Sequence, residues 1–208
     1  PLRIFTLNYD MCVEKNCQNS KIERGFGNSR VWDWKNFDKN EGEEPDVYLY
    51  KLHGSIDWCR DENNNLTYSD EPGNIIPEDV SIIFGTNYKL QYVDPFLFFV
   101  YQLRQWSLEA KLIITIGYGF GDEHINGILG QALKNVSDPN MRKLLVVGTF
   151  SNYEEPLLKE HLLSALAINN TNQIITEKKK AEEYMSKEMN IDSLNRLFTT
   201  EEDLFEEM

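Results

Sequence analysis

Three short segments carry side chains suited to chemistry, and each directly follows a run of apolar residues. The first contains Asn8 and Asp10, the second contains His53, and the third is the glycine-rich segment 117–122. An amide, a carboxylate and an imidazole can orient a substrate and move a proton near neutrality, because the unperturbed pKa of histidine is about 6.5. Each also has a structural alternative: Asn8 and Asp10 can cap a helix over residues 11–15, and His53 can be a satisfied structural residue.

The glycine-rich segment follows a β-branched apolar run at 112–116, which is typical of a strand buried on both faces. Gly117, Gly119 and Gly121 allow a sharp turn and close approach of the backbone to a ligand, and Asp122 can cap a helix that reaches Leu133. Open α/β sheets hold nucleotides at such a strand, turn and helix N-terminus. A plain turn whose glycines serve only packing is the alternative.

The other elements must place these segments at a common edge. Strands are predicted at 3–6, 47–52, 80–84 and 143–147, and helices at 94–106, 156–167 and 177–185. This alternation predicts an α/β fold: a Rossmann-like parallel sheet with helices on both faces. Residues 61–73 predict a polar loop or hairpin around the Asn63-Asn64-Asn65 turn signal.

Two regions fall outside the predicted sheet. Residues 18–46 predict a small inserted helical or loop excursion, whose aromatic residues form a satellite cluster or cover a ligand. These aromatic residues are Phe26, Trp32, Trp34 and Phe37. The catalytic domain is placed at 1–185, and residues 186–208 are expected to form an acidic amphipathic helix or a linker to a following domain.

Composition restricts the partners. With 21 basic and 34 acidic residues, the net charge of −13 disfavours nucleic-acid binding by this chain. No apolar run approaches the roughly 20 residues that span a bilayer, and no secretory signal is present, so a cytoplasmic location is expected. Cys12, Cys17 and Cys59 fit neither a disulfide framework nor a zinc site, so no metal is expected.

The three segments, in this order, resemble the sirtuin-like (Sir2-like) family, and in particular its branch in prokaryotic antiphage defence. Thr6-Leu7-Asn8-Tyr9-Asp10 matches T-x-N-x-D, residues 52–58 match L-H-G-S-I-x-W, and residues 116–126 match I-G-Y-x-F-x-D-x-x-I-N. The resemblance covers Thr6 to about Tyr184. Each match is weak alone, but the three in this order are specific.

The resemblance implies a role for each matching residue. Asn8 would hold the water or ribose near the nicotinamide-ribose carbon, Asp10 would bond the carboxamide of nicotinamide, and His53 would act as the base. Gly117, Tyr118 and Phe120 would line the adenosine-ribose side of NAD+. The full set expected to bind NAD+ is Thr6, Tyr9, Gly85, Thr86, Gly117, Tyr118, Phe120, Asp122 and Asn169.

The implied function is an NAD+ hydrolase (NADase) that releases nicotinamide and ADP-ribose as an effector of bacterial antiphage defence. The four zinc-binding cysteines of sirtuin deacetylases are absent, which favours hydrolysis over deacetylation. The family's G-A-G-x-S segment is also absent from the sequence; the first strand–helix unit is expected upstream of Pro1, and the chain can be inactive without it. The expected partner is another copy of the chain or a defence-system protein.

Three alternatives remain. The same scaffold supports a protein deacylase or ADP-ribosyltransferase, and it supports a non-catalytic sensor that binds NAD+ or ADP-ribose. An unrelated α/β interaction domain is the third.

Overall fold

A computed structural model describes residues 1–38, 44–83, 93–150 and 155–198, and the chain divides into two units, Pro1–Leu103 and Arg104–Met208. Each unit contains a three-stranded parallel sheet, and helices flank the sheets. The fold is therefore the mixed α/β, Rossmann-like fold that the sequence predicted. Within the described ranges, no helix has the length and apolarity needed to cross a bilayer.

The first unit is built on the central strand β3 (Val47–Lys51), which pairs in parallel with β1 (Leu2–Thr6) on one side and β2 (Ile22–Glu23) on the other. All five residues of β3 are buried. The short helix α1 (Cys12–Asn16) follows β1. Strands β4 (Trp58–Arg60) and β5 (Leu66–Tyr68) form an antiparallel hairpin around the predicted asparagine turn.

Aromatic side chains fill the core of the first unit. The ring of Phe37 stacks on Tyr50 with centroids 4.9 Å apart, and Phe26 meets Trp58 edge to face at 5.5 Å. Helix α2 (Phe96–Glu109) contributes Phe99, which is fully buried against Tyr50. The predicted excursion thus contributes β2 to the sheet and aromatic rings to the core. Its boundaries stay a prediction.

The second unit has β7 (Lys143–Gly148) at its centre, between β6 (Leu112–Ile116) and β8 (Ile174–Lys178). Helix α3 (Glu123–Lys134) follows β6, and α4 (Glu155–Leu166) follows β7. Helix α5 (Ala181–Lys187) and helix α6 (Ile191–Arg196) come last. The C-terminal part of the described chain packs on this sheet, since Met189, Leu194 and Leu197 contact the cluster of Leu145, Val147 and Tyr184.

Two predicted elements are wrong. Residues 80–83 contain no strand, because Ile82 pairs with Gly54 only as an isolated bridge. Ile82 therefore lies against the turn that contains Gly54. Residue 84 of the predicted strand lies outside the described residues. The helix predicted at 177–185 begins at Ala181, and residues 174–178 form β8 instead. Pairing of Ile174 and Ile175 with buried β7 residues outweighs the helical preference of the charged residues that follow.

Candidate active site

The first two sequence segments leave the same edge of the first unit's sheet. Strands β1 and β3 run parallel with Thr6 opposite Lys51, and the N–H of Leu52 donates to the carbonyl of Thr6 at 2.9 Å. Farther along, the N–H of Ile56 donates to the carbonyl of Tyr9 at 3.0 Å. These bonds hold residues 6–9 beside residues 52–56, so segments about 45 positions apart lie together, as expected for neighbouring parallel strands.

Tyr9 and His53 are neighbours at this edge. Their ring centroids lie 6.4 Å apart, and His53 is half-buried. The hydroxyl of Tyr9 donates to the carbonyl of Ile83 at 2.8 Å, and the N–H of Ile83 donates to the carbonyl of His53 at 2.8 Å. Ile83 therefore joins the two segments a second time and fixes the backbone that carries the imidazole.

Asn8 and Asp10 lie beside these residues and are exposed. The N–H of Asn8 donates to the hydroxyl of Thr6 at 3.0 Å. The carboxylate of Asp10 accepts from the N–H of Cys12 at 2.8 Å, so it also binds the first residue of α1. The N-cap residue of α1 is Met11 rather than Asn8 or Asp10. Hydrogen bonding from Cys12 lowers the pKa of Asp10, which keeps the carboxyl ionised near neutrality.

The backbone beside His53 requires glycine. Gly54 has φ +88°, and a Cβ added there would lie 2.2 Å from the carbonyl oxygen of Ser81. Such a distance is far below any normal contact, and most side chains avoid this conformation. The His-Gly pair is thus explained by a close approach of two backbone segments.

A buried group of charged side chains, which sequence analysis missed, lies under both segments. It consists of Glu14, Arg24, Lys51, Ser55 and Asp57, called here the charge ring. The sequence signal for it was a lysine, Lys51, at the end of the otherwise apolar strand β3. Burial disfavours the charge on Arg24, but the carboxylates of Asp57 and Glu14 outweigh it and raise the pKa of Arg24.

The glycine-rich segment of the second unit forms an ordered turn. The hydroxyl of Tyr118 donates to the side-chain oxygen of Asn126 at 2.7 Å and contacts the carbonyl of Asp122 at 3.1 Å. The side-chain amide of Asn126 donates to the carbonyl of Phe120 at 2.8 Å. Phe120 is buried at φ +55° and packs on Tyr118, with centroids 4.6 Å apart. Asn126, which closes the matched motif but is not among the predicted site residues, therefore holds the turn in shape.

Asp122 caps α3 as predicted. Its carboxylate accepts from the N–H groups of His124 at 3.1 Å and Ile125 at 3.3 Å. Burial, with the nearby Asp122 carboxylate, raises the pKa of Tyr118, so its hydroxyl stays a neutral donor. The turn is thus fixed from both sides by side-chain hydrogen bonds.

Internal packing does not explain why two positions of this turn are glycine. Gly119 and Gly121 are exposed, and a Cβ on either would meet nothing within 4 Å. Neither has a positive φ, in contrast to Gly117 at +67°. Backbone left uncovered above a strand end is what a bound nucleotide requires.

Three predicted residues are not placed with this turn. Asn169 is exposed and precedes the amino end of β8, whereas the turn follows the carboxyl end of β6. The parallel register aligns the amino ends of the strands, so the structure does not bring Asn169 and Tyr118 together. Gly85 and Thr86 lie outside the described residues.

The described part of the chain contains no group of three or more His, Cys, Asp or Glu side chains that could hold a metal ion.

Comparison with known proteins identifies the class to which this α/β chain belongs. A family model described as "SIR2-like domain" matches residues 2–194. The chain therefore belongs to the SIR2-like family, which confirms the Sir2-like part of the resemblance found in the sequence. Members of this family are NAD-dependent enzymes. A search of curated proteins found no match.

Proposed function

We propose that the protein is an NAD+ hydrolase that cleaves the nicotinamide–ribose bond and releases nicotinamide and ADP-ribose. The observation that carries this proposal is the pairing of residues 6–9 with residues 52–56 at one sheet edge. In a member of the SIR2-like family, this pairing supports the assignment of the Asn8 amide, the Asp10 carboxylate and the His53 imidazole to one site.

The reaction needs a nucleophile and a stabilised sugar cation. Water attacks the ribose carbon, the carbon–nitrogen bond breaks, and its electron pair neutralises the pyridinium as nicotinamide leaves. Because the leaving group departs neutral, no general acid is needed. His53 takes the proton of the attacking water, Asn8 holds that water or the ribose, and ionised Asp10 accepts a hydrogen bond from the carboxamide.

The turn of the second unit is assigned the binding of the adenosine side of NAD+. Uncovered backbone at Gly119 and Gly121 and the fixed Tyr118–Phe120 pair support this assignment. Thr6 and Tyr9 are assigned to positioning in the first unit, since both bond the neighbouring backbone. Asn169 is left out of this assignment because it lies at the other edge of its sheet.

A role in bacterial antiphage defence is proposed from the form of the sequence motifs. The tyrosine in T-x-N-Y-D and the L-H-G-S-I-x-W segment are the form expected of the defence branch. Bacteria that express the full protein should resist phage and lose NAD+ during infection. Resistance that persists fully with His53→Ala would contradict a role for NAD+ cleavage in defence.

The test of the enzymatic proposal is nicotinamide release from NAD+ by purified variants. His53→Ala and Asn8→Ala should each lower the rate by about 10²–10⁴-fold, the range for loss of acid–base or positioning groups. His161→Ala, at an exposed position on α4, serves as the matched histidine control and should keep the wild-type rate. Near-normal turnover in both site variants, with unchanged melting temperatures, would refute the proposal.

A further inference from the structure

We infer that the charge ring is a positioning device for the proposed hydrolase site, in which Lys51 sets the position of Asn8 and Asp10 relative to His53. The inference rests on the proposed function for its catalytic consequence. Its structural part, that Lys51 fixes one segment against the other, stands on geometry alone.

The ring is closed and its charges cancel. The ammonium of Lys51 contacts Glu14 at 3.0 Å, and the same oxygen of Glu14 accepts from Arg24 at 3.1 Å. Arg24 donates to Asp57 at 2.8 Å, the hydroxyl of Ser55 donates to the other oxygen of Asp57, and Lys51 donates to Ser55 at 2.7 Å. The two cations and the two anions alternate along the ring, and the hydroxyl of Ser55 closes it between Asp57 and Lys51.

Burial makes this arrangement costly to disturb. Lys51 is 1% exposed, and Ser55 and Asp57 are fully buried. Removing one member leaves an uncompensated charge in a low dielectric, which is strongly destabilising, whereas replacing both partners of a pair is often nearly neutral. Since apolar residues could fill the same space, we assign the buried charges a positioning role rather than a purely stabilising one.

Lys51 reaches both functional segments. Besides Glu14 and Ser55, its ammonium donates to the backbone carbonyl of Asp10. Ser55 lies two residues after His53, and its hydroxyl also contacts the carbonyl of Tyr9 at 3.4 Å. A single buried side chain therefore ties the Asn8–Asp10 backbone to the turn that carries the imidazole.

The experiment separates charge balance from positioning with a single and a double variant of the full chain. Lys51→Met leaves the ring with one excess negative charge, so both the melting temperature and kcat should fall. Lys51→Met combined with Glu14→Gln leaves only the Arg24–Asp57 pair, so the melting temperature should recover most of the loss. Lys15→Met, which removes an exposed lysine next to Glu14, is the control and should match the wild type.

The double variant should remain impaired although it is stable. Because the bond to the Asp10 carbonyl is still missing, kcat for nicotinamide release should stay about 100-fold below wild type, with KM little changed, as for a misplacement near 1 Å. Exchange of the Ile56 amide, which bonds Tyr9, should be about tenfold faster, as for loss of one hydrogen bond. The Ile125 amide in the second unit should be unaffected.

Each result has a consequence. If kcat and amide exchange both return to wild type together with stability in the double variant, the ring serves stability alone and the inference is overturned. Fast exchange with wild-type kcat overturns the catalytic part. If the wild-type protein releases no nicotinamide, the proposed function fails, and amide exchange alone decides whether Lys51 positions the segments.

Discussion

At the scale of single residues, the backbone at Gly54 restricts the position of the neighbouring His53. The site combines φ +88° with a close approach to Ser81, so alanine would meet both backbone strain and a steric clash. Gly54→Ala should lower the free energy of unfolding by about 2–4 kcal/mol.

Denaturant unfolding measures this loss. Gly73→Ala is the matched control in the same unit, since Gly73 is exposed with nothing near its Cβ position, and it should change stability by less than about 0.5 kcal/mol. Equal stability of both variants would show that the close contact at Gly54 is absent in solution.

A second residue-scale prediction concerns alkaline pH. Burial raises the pKa of Tyr50 to about 12, above the ordinary value near 10, and Tyr50 is 2% exposed. The native state thus holds this proton more tightly. The stabilisation from this proton is complete below pH 10, the pKa of tyrosine in the unfolded state. It is lost between pH 10 and 12 at about 1.4 kcal/mol per pH unit.

Unfolding free energies measured across pH 9–12 test whether stability falls in this pH range as predicted. Tyr50→Phe keeps the ring that stacks on Phe5 and removes the ionisable group, so its stability should fall less steeply above pH 10. Tyr101→Phe, at an exposed tyrosine of the same unit, should follow the wild-type curve. A steeper decline in Tyr50→Phe than in the wild type would contradict the assignment.

The site residues of the first unit were predictable as far as their positions follow from the local sequence. A polar residue directly after a strand lies at the sheet edge wherever the strand ends, so Asn8, Asp10 and His53 could be identified as neighbours. The charge ring could not be identified in this way, since Glu14 and Lys51 are 37 positions apart in the sequence and meet only through tertiary packing.

At the scale of elements, the contact between α3 and α4 depends on one glycine. A Cβ on Gly130 would lie 2.0 Å from the carbonyl oxygen of Leu166. Gly130→Ala should therefore push the two helices apart and cost about 1–3 kcal/mol of stability.

The same helix supplies a control with the opposite sign. Gly127 is exposed with nothing within 4 Å of its Cβ position, so Gly127→Ala should stabilise the protein by up to about 1 kcal/mol through helix propensity. Thermal and chemical unfolding of the two variants measure the difference. A stabilising Gly130→Ala would mean that α3 and α4 are not in contact at this point.

Elements with strong local signals were predicted best. The strand at 112–116, its turn and the cap at Asp122 agree with the structure because β-branched residues, glycines and a capping aspartate act locally. Only the last two residues of β8, Glu177 and Lys178, were predicted as the start of a helix, since they suit an exposed helix face as well as an edge strand. The position of this segment beside β7 decides between strand and helix, and the sequence alone does not give that position.

At the scale of the whole molecule, the net charge of −13 lies outside the charge ring, whose charges cancel. Such an excess of acidic groups repels nucleic-acid backbones strongly, whereas a dinucleotide carries only two phosphates. The charge is therefore less unfavourable for the proposed NAD+ substrate than for a nucleic acid.

The most direct test is chromatography of NAD+ incubated with the protein in the absence of any acylated peptide. We expect that NAD+ disappears and that nicotinamide and ADP-ribose appear in equal amounts. Intact NAD+, or nicotinamide that forms only when an acyl-lysine peptide is added, would contradict it.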